Sequence, residues 1–217
     1  MKKEVALSYS RIACYKQCPQ KFDYEHISKK VVWKETPATK LGREIHTELE
    51  EYAKDGKGLN LAIGSKPYID KILSFKGKKF YEHHLALNSD FEETGFFDDD
   101  VLMRFILDVA IVNEDTAQVI DYKTGKRNTS ANMEMDFFAF ALFCVHPEIK
   151  KIKTSLLWLK TNEIDSKVYT RDDIPRVRAE IEKYKGLIND DIKTGSFKAK
   201  PSPLCGWCGA VEFCDRK

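Results

Sequence analysis

The placement of cysteines constrains this chain more than any other feature. Cys205, Cys208 and Cys214 crowd its last residues as C-x2-C-x5-C, while Cys14 and Cys18 stand near its start. A C-x2-C step turns two neighbouring thiolates toward one ion or cluster, and Gly206 and Gly209 relieve the tight loop around them. A four-thiolate site needs one more cysteine from the far end, so a fold that builds it must clip the two termini together. The amino terminus, MKKEVALSYS, lacks the apolar stretch of a secretory peptide. The expectation is a reduced, cytoplasmic setting in which the thiols ligate metal rather than pair as disulfides. Cys144, within the apolar run AFALFCV, reads as a buried thiol. Soft thiolates suit zinc or an iron-sulfur cluster, and the spacing does not separate the two.

At 217 residues the chain can hold one good-sized core, and no apolar run approaches the roughly 20 residues of a membrane span. One domain and no membrane are expected. The formal charge of +2 conceals segregation: residues 1–34 carry +5, residues 88–121 carry −9 and residues 122–217 carry +5. An acidic centre between basic flanks fits a divalent-cation site that works on a polyanion. Asp98, Asp99 and Asp100 themselves read as a solvated loop.

Ser8 or Ser10 can cap a first helix running to about Lys29, on which Cys14 and Cys18, four apart, share a face. Either one can supply the fourth thiolate. Helices follow near Thr39–Lys54 and Pro67–Phe80, then strands at Phe80–Leu87, Val101–Val112 and Ala117–Tyr122, the last two joined by Asn113, Glu114 and Asp115. An apolar helix at Met133–Val145, strands at Ile152–Lys160 and Lys167–Thr170, and an amphipathic helix at Asp172–Lys193 complete a mixed α/β order. The region 35–194 is expected to be the catalytic core, with 1–34 and 195–217 forming the cysteine region.

The chemistry falls on the central hairpin. Asp108 lies inside the strand FILDVAIV, where an unpaired carboxylate is costly, and Asp121 follows 13 residues later in VIDYKTG. The hairpin brings both together. Asp121 and Lys123, two apart on a strand, project from one face and set a carboxylate beside an ammonium. Hard oxygen ligands of this kind suit Mg²⁺ or Mn²⁺, which acidifies water and stabilises charge on a phosphate. Lys123 then orients or deprotonates that water, or holds the transition state.

The stretch from Asp108 to Asp121, Tyr122, Lys123, Thr124 and Gly125 resembles the core of the PD-(D/E)XK nuclease superfamily, in particular its RecB-like exonuclease branch. SYSRIACYKQCPQKFDY is similar to that branch's amino-terminal segment through Cys18, Pro19, Lys21 and Phe22. LGREIHTELE resembles its G-x-x-x-H-x-x-L-E helix through Gly42, His46, Leu49 and Glu50. The tail GSFKAKPSPLCGWCGAVEFC resembles the ending of members that carry a [4Fe-4S] cluster, such as CRISPR adaptation exonucleases and AddB-type helicase-nuclease subunits.

The resemblance implies a restriction-endonuclease-like α/β core, a central mixed sheet flanked by helices, with the termini joined by a four-cysteine cluster. It implies a metal-dependent DNA exonuclease in which His46, Asp108, Asp121 and the main-chain carbonyl of Tyr122 hold Mn²⁺ or Mg²⁺, with Glu82 as a further candidate. Lys123, Asp108 and Asp121 carry the catalysis. Cys18, Cys205, Cys208 and Cys214 take the cluster, zinc being the alternative, and Cys14 becomes the spare. DNA is the partner, with Lys16, Lys21, Lys126 and Arg127 as phosphate contacts and Tyr15, Tyr24 and Trp207 as stacking candidates. Recombination or CRISPR-associated proteins are further partners.

Two departures stand out. Phe105 replaces the family's glycine three residues before the first catalytic aspartate. Glu134 and Phe138 fall where many members carry the glutamine and tyrosine of a Q-x-x-x-Y helix, and a glutamate beside phosphate repels it unless protonated or turned away. A nucleic-acid-binding module that keeps the fold without strong catalysis is the competing expectation.

Overall fold

The computed structural model describes residues 5–127 and 132–214. They form two compact units, residues 35–177 and residues 1–34 with 178–217, of which the described parts are treated in turn.

The larger unit is built on a six-stranded sheet ordered β2-β1-β3-β4-β5-β6. Its strands are β1 (Lys78–Asn88), β2 (Glu93–Thr94), β3 (Val101–Asn113), β4 (Thr116–Lys123), β5 (Lys151–Trp158) and β6 (Glu163–Thr170). All neighbours are antiparallel except β4 and β5. A parallel pair needs a crossover, which the helix at Asn132–Val145 supplies. Its residues Phe137 to Phe143 are all buried, as the unbroken apolar run requires.

The helix at Pro37–Asp55 starts and stops for local reasons. Thr36 and Thr39 form a reciprocal cap, Pro37 sits in the first turn, and Gly56 ends the helix in the left-handed region at φ 69°. Leu49 from this helix, with Ile69 and Ile72 from Lys66–Leu73, packs on Val109, Ile111, Ile120, Tyr122 and Leu157. That short helix ends at Leu73, well before Phe80, because Gly77 at φ 131° turns the chain into β1.

In the smaller unit Ser8 caps α1 (Tyr9–Gln17), accepting from the Arg11 N–H at 3.3 Å. The first helix does not run unbroken to Lys29. Pro19 bars helical backbone at the residue before it, and Cys18 is extended at φ −161° and ψ 112°. The chain restarts as α2 (Pro19–Phe22) and closes in a wide turn over Asp23–Ile27. In order along the whole chain, α3 is Pro37–Asp55, α4 Lys66–Leu73, α5 Asn132–Val145 and α6 Ile174–Thr194.

The smaller unit takes in α6 from Arg178 onward. The reason is packing. Tyr15 sets its ring edge-on to Tyr184 at 6.4 Å and donates its hydroxyl to Asp191 at 2.6 Å, while Lys16 pairs with Glu180 at 3.7 Å. Cys144 is only half-buried, near the open end of α5.

Candidate active site

Three strands bring three carboxylates into one row. Along β1 and β3 the ladder runs Tyr81 opposite Val109 and His83 opposite Leu107, and the missing rung between them is Glu82 and Asp108. Glu82 has the left-handed φ of 44°, a strained conformation for a residue inside a strand. On the other side of β3, the ladder with β4 begins at Val109 opposite Ile120, so the next positions out are Asp108 and Asp121. There the strands part, and the side chain of Asp108 takes over: its Oδ2 accepts the Tyr122 N–H at 2.6 Å.

His46 reaches this row from α3. Its Nδ1 lies 3.1 Å from Asp108 Oδ1 and 3.9 Å from Glu82 Oε1. Gly42, one turn earlier, permits the approach: a Cβ there would meet Thr124 Oγ1 at 3.1 Å. Thus the helix motif and the DYKTG strand end dock on each other directly.

Lys123 completes the site. Its Nζ stands 2.7 Å from Asp121 Oδ2 and donates to Glu134 Oε2 at 2.6 Å. The sequence left Glu134 repelling phosphate unless protonated or turned away; in the fold it is engaged by the lysine. Phe138, one turn on, is buried, as is Phe105, whose bulk goes into the core opposite Leu85.

The charges are far from balanced. Burial and the charge of Asp108 push both Glu82 and the buried Asp121 toward the protonated form. Burial does the same to Glu134, against the pull of Lys123. Burial opposes charge on His46, but the bond to Asp108 and the charges of Asp108, Asp121 and Glu82 win and carry it up to about 9. Lys123 is likewise held charged, since Asp121 and Glu134 outweigh its burial.

A cation fits this arrangement. His46, Glu82 and Asp108 each offer one ligand atom, all within 4.8 Å of one another. Asp121 Oδ2 is buried and accepts no hydrogen bond of good geometry, although the ammonium of Lys123 is close by charge. Crowded, under-bonded carboxylate oxygens with one imidazole are the donor set of Mg²⁺ or Mn²⁺.

The sequence profile of the PD-(D/E)XK nuclease superfamily matches residues 6–215. The chain belongs to this superfamily. No curated protein matches the sequence. Among solved structures, that of a "Putative exonuclease" from Eubacterium rectale is similar at TM-score 0.57 and 11% identity, over 95% of this chain and 88% of that one. The crystal structure of SSO0001 is similar over 100% of this chain and 89% of that one at 15% identity, with TM-score 0.46. At 11% identity the likeness to the Eubacterium rectale structure extends to the fold alone.

The PD-(D/E)XK residues named from the sequence therefore converge: His46, Glu82, Asp108, Asp121 and Lys123 meet at the β1-β3-β4 junction. The cysteines form a separate group in the smaller unit, where Cys18, Cys205, Cys208 and Cys214 line one cavity. None is in a disulfide. Cys18 Sγ accepts the Lys200 N–H at 3.3 Å and Cys205 Sγ the Ser202 N–H at 3.2 Å. Cys14 is turned elsewhere, its thiol donating to Glu25 at 3.4 Å; burial first, then Glu25, pushes it up to about 12.

The basic candidates are largely engaged. Lys21 bonds Gln17 at 3.1 Å, and Arg127 is tied to Asp165 and Glu163. Lys126 is exposed. Tyr15 and Tyr24 are buried and have no free ring face for a base, whereas Trp207 stands in solvent.

Proposed function

We propose that this protein is a metal-dependent DNA exonuclease of the RecB-like branch, cutting phosphodiester bonds of single-stranded DNA or DNA ends in recombination, repair or CRISPR-related processing. The observation that carries the proposal is the row Glu82, Asp108 and Asp121, with His46 over it and Lys123 beside it. Such a row is unfavourable by itself and fits a divalent cation. Mg²⁺ or Mn²⁺, held by His46, Asp108, Asp121 and the Tyr122 carbonyl, would lower the pKa of water and offset phosphate charge.

Lys123 keeps its proton at Nζ, because two carboxylates favour the ammonium. As an ammonium it would stabilise charge on the phosphoryl oxygens. Asp121 and Glu134 fix its position from two sides. Asp108, through Oδ2, holds the Tyr122 amide and so orients the backbone around it.

Cys18, Cys205, Cys208 and Cys214 are proposed to hold a [4Fe-4S] cluster. Four thiolates around one cavity suit either a cluster or a zinc ion, which metal content tells apart. Backbone N–H groups on Cys18 and Cys205 Sγ suit thiolate ligands. The name of the Eubacterium rectale protein accords with an exonuclease, on likeness of fold.

The saturation of Lys123 by two carboxylates favours a second reading, a catalytically weak DNA-binding subunit. One experiment separates them. DNA labelled at its 5′ or 3′ end, single-stranded and duplex, is digested with Mg²⁺ or Mn²⁺ by wild type, Lys123→Ala and Asp108→Ala. Cation-dependent degradation by the wild type, lost in both variants, is expected. Equal products from all three proteins would sink the assignment. A brown colour and broad visible absorbance in anaerobic protein are expected from the cluster, and a colourless protein with stoichiometric zinc refutes it.

A further inference from the structure

Two of the three tryptophans stand almost wholly in solvent, Trp33 at 72% exposed and Trp207 at 90%, while Trp158 is at 2%. Large aromatic rings are buried on average, so two bare indoles in one unit call for a partner rather than a packing account. Their chain segments lie together. The Val31 N–H donates to the Tyr24 carbonyl at 3.0 Å, and Lys30 Nζ sits 4.6 Å from the Tyr24 ring centroid. Tyr24 in turn meets Phe213 edge-on at 6.2 Å, and a Cβ on Gly209 would lie 3.9 Å from Val31 Cγ1. The segment carrying Trp33 thus runs beside the tail turn carrying Trp207.

The charge is one-sided. Across residues 28–34 and 198–214 there are five lysines, Lys29, Lys30, Lys34, Lys198 and Lys200, all exposed, against one acid, Glu212. Lysines interleaved with exposed rings recognise a flexible polyanion that offers flat faces. Duplex DNA presents only base edges in its grooves, so its bases have no free face for an indole.

We propose that this surface binds single-stranded DNA, with Trp33 and Trp207 stacking on unpaired bases and the lysines following the phosphates. The choice of DNA rests on the nuclease reading above; the stacking surface itself does not.

The test is fluorescence anisotropy of a labelled oligo-dT with the intact, anaerobically purified protein in EDTA, where no cleavage occurs. Base stacking is worth about 1–3 kcal/mol, so Trp33→Ala and Trp207→Ala are each expected to weaken dT binding about 5- to 150-fold. Trp33→Phe and Trp207→Phe keep a ring and are expected to bind within a few fold of wild type. Duplex of the same length should bind more weakly and ignore all four changes. Exposed rings carry little packing, so unchanged melting curves show that the variants are folded.

Undiminished dT binding in both alanine variants, equal losses on dT and duplex, or stronger binding of oligo-U than of dT would overturn the proposal. The two readings fail separately. Tryptophan-dependent binding without cation-dependent cleavage supports this surface against the nuclease, and cleavage with tryptophan-independent binding does the reverse.

Discussion

Lys123 is the most informative residue to remove, because one ammonium there serves two buried carboxylates. Its side chain is mostly excluded from water, and its Nζ lies 2.7 Å from Asp121 and 2.6 Å from Glu134. At an effective dielectric of about 20, each contact is worth about 6 kcal/mol gross. Much of that offsets the cost of burying the ions, and breaking a buried pair costs about 3–5 kcal/mol net. Lys123→Met should therefore lower stability by that amount, or Tm by about 6–20 °C for a chain of this size.

The loss should also depend on pH. Asp121 and Glu134 already have raised pKa values, and without the ammonium they rise further. A carboxyl raised in the folded state favours folding below its unfolded value near 4, and that stability is lost as pH rises toward the folded value. The slope is up to about 1.4 kcal/mol per pH unit for each carboxyl, so the variant should be worse at pH ~8 than at ~5. Urea denaturation followed by circular dichroism in EDTA measures this. Adding Glu134→Gln should recover at least about 1 kcal/mol, since one orphaned charge is then gone. A Lys123→Met protein as stable as wild type at both pH values would show that the buried triad carries none of this energy.

Asp136 accepts from Lys167 at 2.7 Å, Tyr169 at 2.6 Å and Arg176 at 2.8 Å, and these donors hold its carboxyl low against the effect of burial. Asp136→Asn should cost about 1.5–3 kcal/mol at neutral pH, a difference that fades in thermal melts as pH falls below about 4 through the lowered folded value. Gly77→Ala should cost at least about 2 kcal/mol in urea, because at φ 131° its Cβ would sit 2.6 Å from the Val112 carbonyl oxygen, whereas Gly56→Ala, at φ 69° in open space, should cost about 1. Cys208→Ser should lose colour, solubility and nuclease activity together; a stable, colourless and fully active variant would show the cysteine clip to be dispensable.

The central hairpin was legible because its strands announce themselves locally, whereas Glu93–Thr94 carried no strand signal and β6 begins at Glu163 rather than Lys167. Val101–Asn113 and Thr116–Lys123 differ from expectation by one residue at each altered end, since alternation and turn residues are local signals. His46, Asp108, Asp121 and Lys123 were legible as a motif. The backbone of Glu82 was not, because its left-handed φ falls at the unpaired rung opposite Asp108, which only the strand pairing creates. The partner of Glu134, Lys123, was equally hidden, because it comes from a different element of the fold. The break before Pro19 is a local signal, and it is what separates Cys18 from Cys14. Trp33 carried no sequence mark at all, since only exposure distinguishes it from a core ring.

The site's electrostatics require a counter-charge, and this leads to a measurable coupling. Glu82, Asp108, Asp121 and Glu134 outnumber Lys123 and His46, and without a cation the imbalance is met by protons, which is why burial and mutual repulsion raise Glu82 and Asp121. His46, held protonated up to about 9 by the same carboxylates, occupies their oxygens with an N–H that a ligating nitrogen cannot keep. Cation binding must therefore expel protons from both the carboxyls and the imidazole. Mn²⁺ affinity should rise between about pH 6 and 8, and calorimetry in buffers of different ionisation enthalpy should report at least about one proton released per ion. Asp108→Asn should remove both the binding and the release. Tight binding with no proton release would mean that the cation sits elsewhere, and that the row of carboxylates is not its seat.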